Sequence, residues 1–210
     1  MRTLVLSTAA VLALCIGSAQ AANISVITQF TNNNVATVTQ VGSNGSLVVQ
    51  GGTLQGTGNI GVVTQNGKNN GALTLQLGSV QGATTEQMGK NNGAATVQVG
   101  SGQTSVTQQF GVGPNNNATG VNNNSALTVQ VGTLQSAETF QRDNSNEALT
   151  VQVGAVQGSH IGQDGRNNSA GNVQIGSANL ATVDQFGNGN WSGVSQVGSG
   201  NIATVNQTGN

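Results

Sequence analysis

The heptapeptide "ALTVQVG" occurs twice, at residues 126–132 and 148–154, after two relatives, "ALTLQLG" at 72–78 and "AATVQVG" at 94–100. The first residues of the four copies are spaced 22, 32 and 22 residues apart. Inside each copy, small or polar residues alternate with leucine, valine or alanine. Strict alternation with period two is typical of a β-strand whose two faces differ. The repeat therefore predicts that an equivalent strand recurs in each turn of the structure.

Glutamine recurs every 11 residues, with one wider gap, and defines a shorter unit. The recurring glutamines are Gln65, Gln76, Gln87, Gln98, Gln109, Gln130, Gln141, Gln152, Gln163, Gln174, Gln185, Gln196 and Gln207. The glycines two residues later are Gly67, Gly78, Gly89, Gly100, Gly132, Gly154, Gly165, Gly176, Gly187 and Gly198. Each unit predicts a strand followed by a tight glycine turn. Including a degenerate unit near 112–121, the chain contains about 17 units of this kind.

An amide residue opens each unit, six residues before its glutamine. Asparagine opens those at Asn70, Asn92, Asn146, Asn168, Asn179 and Asn201, whereas glutamine opens those at Gln81, Gln103, Gln135 and Gln157. Units therefore pair into 22-residue rungs with two strands each, and we predict an all-β solenoid of about eight rungs. Rungs about 4.8 Å apart stack equivalent amides into hydrogen-bonded columns, as in cross-β amyloid. The spacing breaks at 41–58 and 112–123, where we expect irregular loops.

The charged residues indicate which face of the strands is inside. Glu86, Glu138, His160 and Asp184 lie on the face opposite the glutamines, and charges are rarely buried without partners. The same register turns a set of apolar side chains outward on the other sheet. These are Leu73, Leu75, Val97, Val99, Val129, Val131, Val151 and Val153. A contiguous exposed apolar sheet predicts an interaction surface, which packs laterally on another filament or on a surface.

Composition and the first residues define the class of protein. Residues 1–22 read as a secretory signal peptide, with an apolar run and an A-x-A site. The remaining segment, 23–210, is then an exported chain without cysteine, because Cys15 leaves with the signal. Only 5% of residues are charged and 2% aromatic. This composition would suit a disordered Asn/Gln-rich chain, but the strict period favours an ordered solenoid.

Several activities are not expected from this sequence. The net charge of -1 argues against nucleic-acid binding, and no segment after the signal is long and apolar enough to span a membrane. We predict no catalytic, cofactor-binding or metal-binding residues. "GTGNIG" at 56–61 matches a dinucleotide fingerprint but lacks a strand–helix context. His160, the single histidine, is expected to be solvated and without carboxylate neighbours.

The units also carry a family resemblance. The pattern Q-x-G-x-x-N-x-A-x-x-x-Q is complete at 65–76, 87–98, 163–174, 174–185 and 196–207. In this pattern the chain resembles the curlin repeat family of bacterial curli subunits. The resemblance implies an extracellular functional amyloid that serves adhesion, aggregation and biofilm matrix. It also implies an outer-membrane secretion pore, chaperones and a homologous nucleating subunit as partners.

The repeats leave alternative functions open. With no evident cap beside the first and last repeats, we expect head-to-tail polymerisation as a major curli-like subunit. A minor, nucleating subunit is one alternative. Another is a soluble ice- or glycan-binding solenoid, suggested by the column Thr74, Thr96, Thr128 and Thr150.

Overall fold

The structure is a computed structural model that describes residues 22–31, 33–51, 58–111 and 122–209. All but the last residue of the predicted signal peptide lies outside these ranges. The described residues form strands without any helix. The strands are β1 Ile24–Gln29, β2 Val35–Gly51, β3 Ile60–Ser79, β4 Gly82–Lys90, β5 Gly93–Ser101, β6 Thr104–Phe110, β7 Ser125–Thr133, β8 Ser136–Arg142, β9 Glu147–Ala155, β10 Gly158–Asp164, β11 Ser169–Ser177, β12 Leu180–Phe186, β13 Trp191–Ser199 and β14 Ile202–Thr208.

The strands stack as two facing columns of parallel strands. One column, the apolar sheet, runs β1, the second half of β2, the second half of β3, β5, β7, β9, β11 and β13. The other, the charged sheet, runs the first halves of β2 and β3, then β4, β6, β8, β10, β12 and β14. This confirms the predicted all-β solenoid of about eight rungs with two strands each.

The register shows how the stack passes its two irregular regions. Gln98 pairs with Gln130, 32 residues later, so the rungs on either side of 112–121 contact each other directly. Residues 112–121 lie outside the described residues, and the predicted degenerate unit adds no strand between those rungs. In the first region, β2 continues through the turn with a register shift between Ser43 and Asn44. Residues 52–57 of that region also lie outside the description.

The turns depend on glycine at a specific position. The ten predicted turn glycines have φ between +95° and +146°, a region that L-residues avoid. A Cβ on Gly154 would also overlap the carbonyl oxygen of Gly176 in the next rung. The close approach of successive rungs and the left-handed backbone therefore require glycine at this corner.

The interior between the two sheets is narrow and mostly polar. Small residues such as Ala126, Ala148 and Ala181 fill the middle of the strands, and Ile161 and Val183 are fully buried beside them. The largest buried side chains are otherwise glutamines. Because apolar burial is limited, the fold depends on satisfying the hydrogen bonds of its buried amides.

Candidate functional site

Two columns of inward-pointing glutamines run through all the described rungs. The first contains Gln29, Gln50, Gln76, Gln98, Gln130, Gln152, Gln174 and Gln196; the second contains Gln40, Gln65, Gln87, Gln109, Gln141, Gln163, Gln185 and Gln207. Each Nε2 donates to the Oε1 of the next glutamine at 2.7–2.9 Å. The structure thus brings all thirteen predicted glutamines together and extends both columns to β1 and β2.

Both glutamine columns have a direction. Most of these amides donate their second Nε2 hydrogen across the interior to a backbone carbonyl of the opposite sheet. Gln109 Nε2, for example, donates to Gly93 O at 2.9 Å. Only the amide nitrogen donates, so this bond sets the orientation of the amide. Every Nε2 points toward the end formed by β13 and β14, and every Oε1 points toward β1.

The asparagines that open the units bond mainly to backbone groups. Asn146 illustrates this: its backbone N–H donates to Asn124 Oδ1 at 3.0 Å, and its Nδ2 donates to the carbonyls of Arg142 and Gly165 at 2.7 and 2.9 Å. Asn70, Asn92 and Asn168 occupy the same column of strand starts, and Asn179 and Asn201 occupy the opposite one. Each asparagine therefore fixes a turn to the next rung, instead of forming a continuous amide–amide ladder.

A third amide column lies where glutamine replaces asparagine. Gln81, Gln103, Gln135 and Gln157 are buried at the starts of strands in the charged sheet. Their successive Nε2–Oε1 distances are 2.9, 3.0 and 3.1 Å. The thirteen glutamines predicted to form a ladder do not include these four residues, although their spacing of 22, 32 and 22 matches that of the heptapeptides.

The predicted outward apolar residues form a continuous surface on β3, β5, β7 and β9. Leu73, Val99, Val131 and Val153 are 37–39% exposed, and Leu75, Val97, Val129 and Val151 between them are half-buried. Equivalent residues stack in register from rung to rung. The surface consists of straight apolar ridges that run along the stack.

The charged sheet corrects the expectation for His160. Its Nδ1 lies 3.2 Å from Glu138 Oε2 and its Nε2 lies 3.4 Å from Asp184 Oδ1, so the prediction that it has no carboxylate neighbours was wrong. Glu138 is in the rung before and Asp184 in the rung after. Among the described residues no cluster of three His, Cys, Asp or Glu side chains has a metal-binding arrangement, and no helix there has the length and apolarity needed to cross a membrane.

Comparison with known families finds one similarity. Residues 176–209, which include β12, β13 and β14, match the family model described as the curlin associated repeat. Comparison with curated proteins and with solved structures finds no match. The matched segment contains the complete pattern at 196–207 and one turn of the solenoid. This match confirms the resemblance seen in the sequence over residues 176–209, which carry the curlin associated repeat.

Proposed function

We propose that the chain is a structural subunit of an extracellular, curli-type amyloid fibre, in which copies join head to tail through their end rungs. The curlin repeat family is structural and non-enzymatic, which supports a scaffold rather than a catalyst. On this proposal the fibre lies on the cell surface and serves adhesion, aggregation and biofilm matrix. A homologous nucleating subunit, chaperones and an outer-membrane pore are the partners that the family implies.

The end rungs support polymerisation because each has an open side. Among the described strands, β1 pairs only with β2, and β13 and β14 each pair on one side only. Gln29 is exposed, and Gln40 and Gln207 are half-buried, whereas inner ladder glutamines are fully buried. The unpaired N–H and C=O groups of such strand edges form hydrogen bonds with a strand of another molecule.

The observation that carries the proposal is the match between the two ends. Continuing the register by one rung pairs Ser192 with Ser25, Val194 with Ile27, Gln196 with Gln29, Ala203 with Ala36, Val205 with Val38 and Gln207 with Gln40. Identical or similar side chains meet at every interior position. Among the described residues, each ladder ends in an Nε2 hydrogen without an acceptor at one end and an Oε1 without a donor at the other, so a second copy extends both ladders without reversing them.

The structure argues against one of the two alternative functions, ice or glycan binding, and bears less directly on the other, nucleation. Thr74, Thr96, Thr128 and Thr150 are at most 1% exposed, so this column cannot present hydroxyls to ice or a glycan. A nucleating role for the chain remains the other candidate. The unbroken glutamine ladders favour the major subunit, because every rung propagates the same hydrogen bonds.

The proposal is tested by crosslinking across the predicted junction. Thr37 and Thr204 are outward residues of the charged sheet that become neighbours only when the last rung of one copy meets the first rung of another. Within one chain they are about 34 Å apart, seven strand spacings. At the junction they are about 4.8 Å apart, within the Cα range of a disulfide.

The test variant is Thr37→Cys with Thr204→Cys in a Cys15→Ser background. The matched control replaces Thr204→Cys by Thr182→Cys, one rung further from the junction. On oxidation of assembled protein we expect a ladder of covalent multimers from the test variant and uncrosslinked chains from the control. Uncrosslinked chains from both variants, with fibres present, would contradict head-to-tail joining, as would a soluble β-rich monomer in place of fibres.

A further inference from the structure

We propose that the apolar sheet is a self-recognition face, through which two fibres of this chain pair side by side. The inference rests on the proposed polymer, because a continuous face along a fibre is what the second fibre contacts. The occupant is a second copy of the chain, presenting the same sheet.

The two outer faces of the solenoid differ strongly in charge. The outward residues of the charged sheet include Glu86, Glu138, Arg142 and Asp164, along with the His160 site. Across all the described strands of the apolar sheet, the only outward charge is Glu147, at the start of β9. The backbones are equivalent, so the difference lies in the side chains: apart from Glu147, the outward positions of the described apolar-sheet strands carry no charge and only scattered serine and threonine hydroxyls.

The apolar face has a relief that suits another copy of itself. Leu73, Leu127 and Leu149, with Ala95 between the first two, form a ridge beside the small residues Gly71, Gly93 and Ser125. A shallow groove of about 400 Å³ follows the small residues. Ridges and grooves parallel to the stack interdigitate when two such sheets face each other, as in a steric zipper.

The size of the face also suits a stable contact. The four outward side chains of each strand span about 20 Å along the strand, and eight strands span about 34 Å along the stack, which gives roughly 700 Å² per chain. A stable protein interface buries about 800 Å² per partner. Because head-to-tail polymerisation adds this area once per subunit, pairing becomes stronger as the fibres lengthen.

The test compares matched double substitutions on the two faces. Val97→Glu with Val151→Glu places two charges on the apolar sheet, two rungs apart. Val62→Glu with Thr182→Glu places two charges on the charged sheet, and all four parent residues are half-buried. Mass per unit length of fibres, measured by electron microscopy, reports pairing.

We expect wild-type and charged-sheet-variant fibres to have about twice the mass per unit length of the apolar-sheet variant, which elongates as single fibres. Single wild-type fibres, or equal loss of pairing in both variants, would overturn the inference and leave the polymer intact. Absence of wild-type fibres would instead overturn the proposed function.

A second readout covers the case in which the apolar-sheet variant does not fold. Val151→Cys and Thr182→Cys are made singly in the Cys15→Ser background, and each thiol is labelled in assembled fibres. Protection at position 151 with ready labelling at position 182 is the expected result. Ready labelling at both positions would overturn the inference.

Discussion

The glutamine ladders predict a large difference between two neighbouring residues of β6. Gln109 points inward and is fully buried, whereas Gln108 points outward and donates only to Glu86 Oε2, at 3.1 Å. We therefore compare Gln109→Leu with Gln108→Leu, the same substitution on opposite faces of one strand. Strand propensity and the added apolar surface are nearly matched between the two variants.

The expected magnitude follows from the bonds that Gln109 makes. Its Oε1 accepts from Gln87 Nε2 at 2.8 Å, and its Nε2 donates to Gln141 Oε1 at 2.8 Å and Gly93 O at 2.9 Å. Leucine leaves a hydrogen of Gln87 and the oxygen of Gln141 buried and unpaired, each at about 1–3 kcal/mol. The two penalties sum to about 2–6 kcal/mol; less an apolar gain of about 1 kcal/mol, we expect Gln109→Leu to cost about 1–5 kcal/mol and Gln108→Leu less than about 1 kcal/mol.

The assay is the soluble concentration at equilibrium with fibres. A loss of about 1–5 kcal/mol raises this concentration roughly 5- to 5,000-fold for Gln109→Leu, with about 100-fold at the middle of the range, and Gln108→Leu changes it by only a few-fold. The soluble concentration of each variant is measured both after fibre growth and after fibre dissolution. Equal values from the two directions show that equilibrium was reached. Equal effects of the two substitutions would refute the reasoning, because the ladders would then not hold the rungs together.

Two further predictions concern the turns, and the same assay measures both. Gly154→Ala should destabilise the fibre by about 2–4 kcal/mol, because alanine is strained at φ +131° and its Cβ overlaps Gly176. Gly171→Ala, whose Cβ would meet no atom within 4 Å, should be neutral or slightly stabilising, and equal losses at both positions would contradict this. Asp143 stands where other turns have glycine, at φ +76°. Asp143→Gly should stabilise by about 0.5–1 kcal/mol, since its exposed contact with Arg166 at 3.4 Å contributes little; a loss of stability would show that this contact matters more than the strain.

The architecture was predictable because one period governs both the strands and their contacts. Residues 22 apart occupy equivalent positions, so the spacing of Gln152 and Gln174 already implies their hydrogen bond. The positions of Glu138 and Asp184 were enough to assign the faces, since an unpaired charge is not tolerated inside so thin a core.

Other features were not predictable because they depend on contacts outside that period. Asp184 is 24 residues from His160 and reaches it diagonally, across two columns. The break between Gln109 and Gln130 is compatible with an extra strand or with a loop, and only the register of β5 with β7 decides between them. The third ladder, at Gln81, did not follow from spacing alone, because asparagines at equivalent strand starts bond mainly to backbone carbonyls, whereas the longer Gln81 side chain reaches the amide of Gln103.

The most direct test of the central claim is the axial rise per chain in assembled fibres, determined by cryo-electron microscopy. A chain that stacks eight rungs on itself and then joins head to tail predicts one subunit per about 38 Å, over a strand repeat of about 4.8 Å. One subunit per 4.8 Å layer would mean that each chain lies flat in a single layer. That result would contradict both the ladders within the chain and the junction between its end rungs.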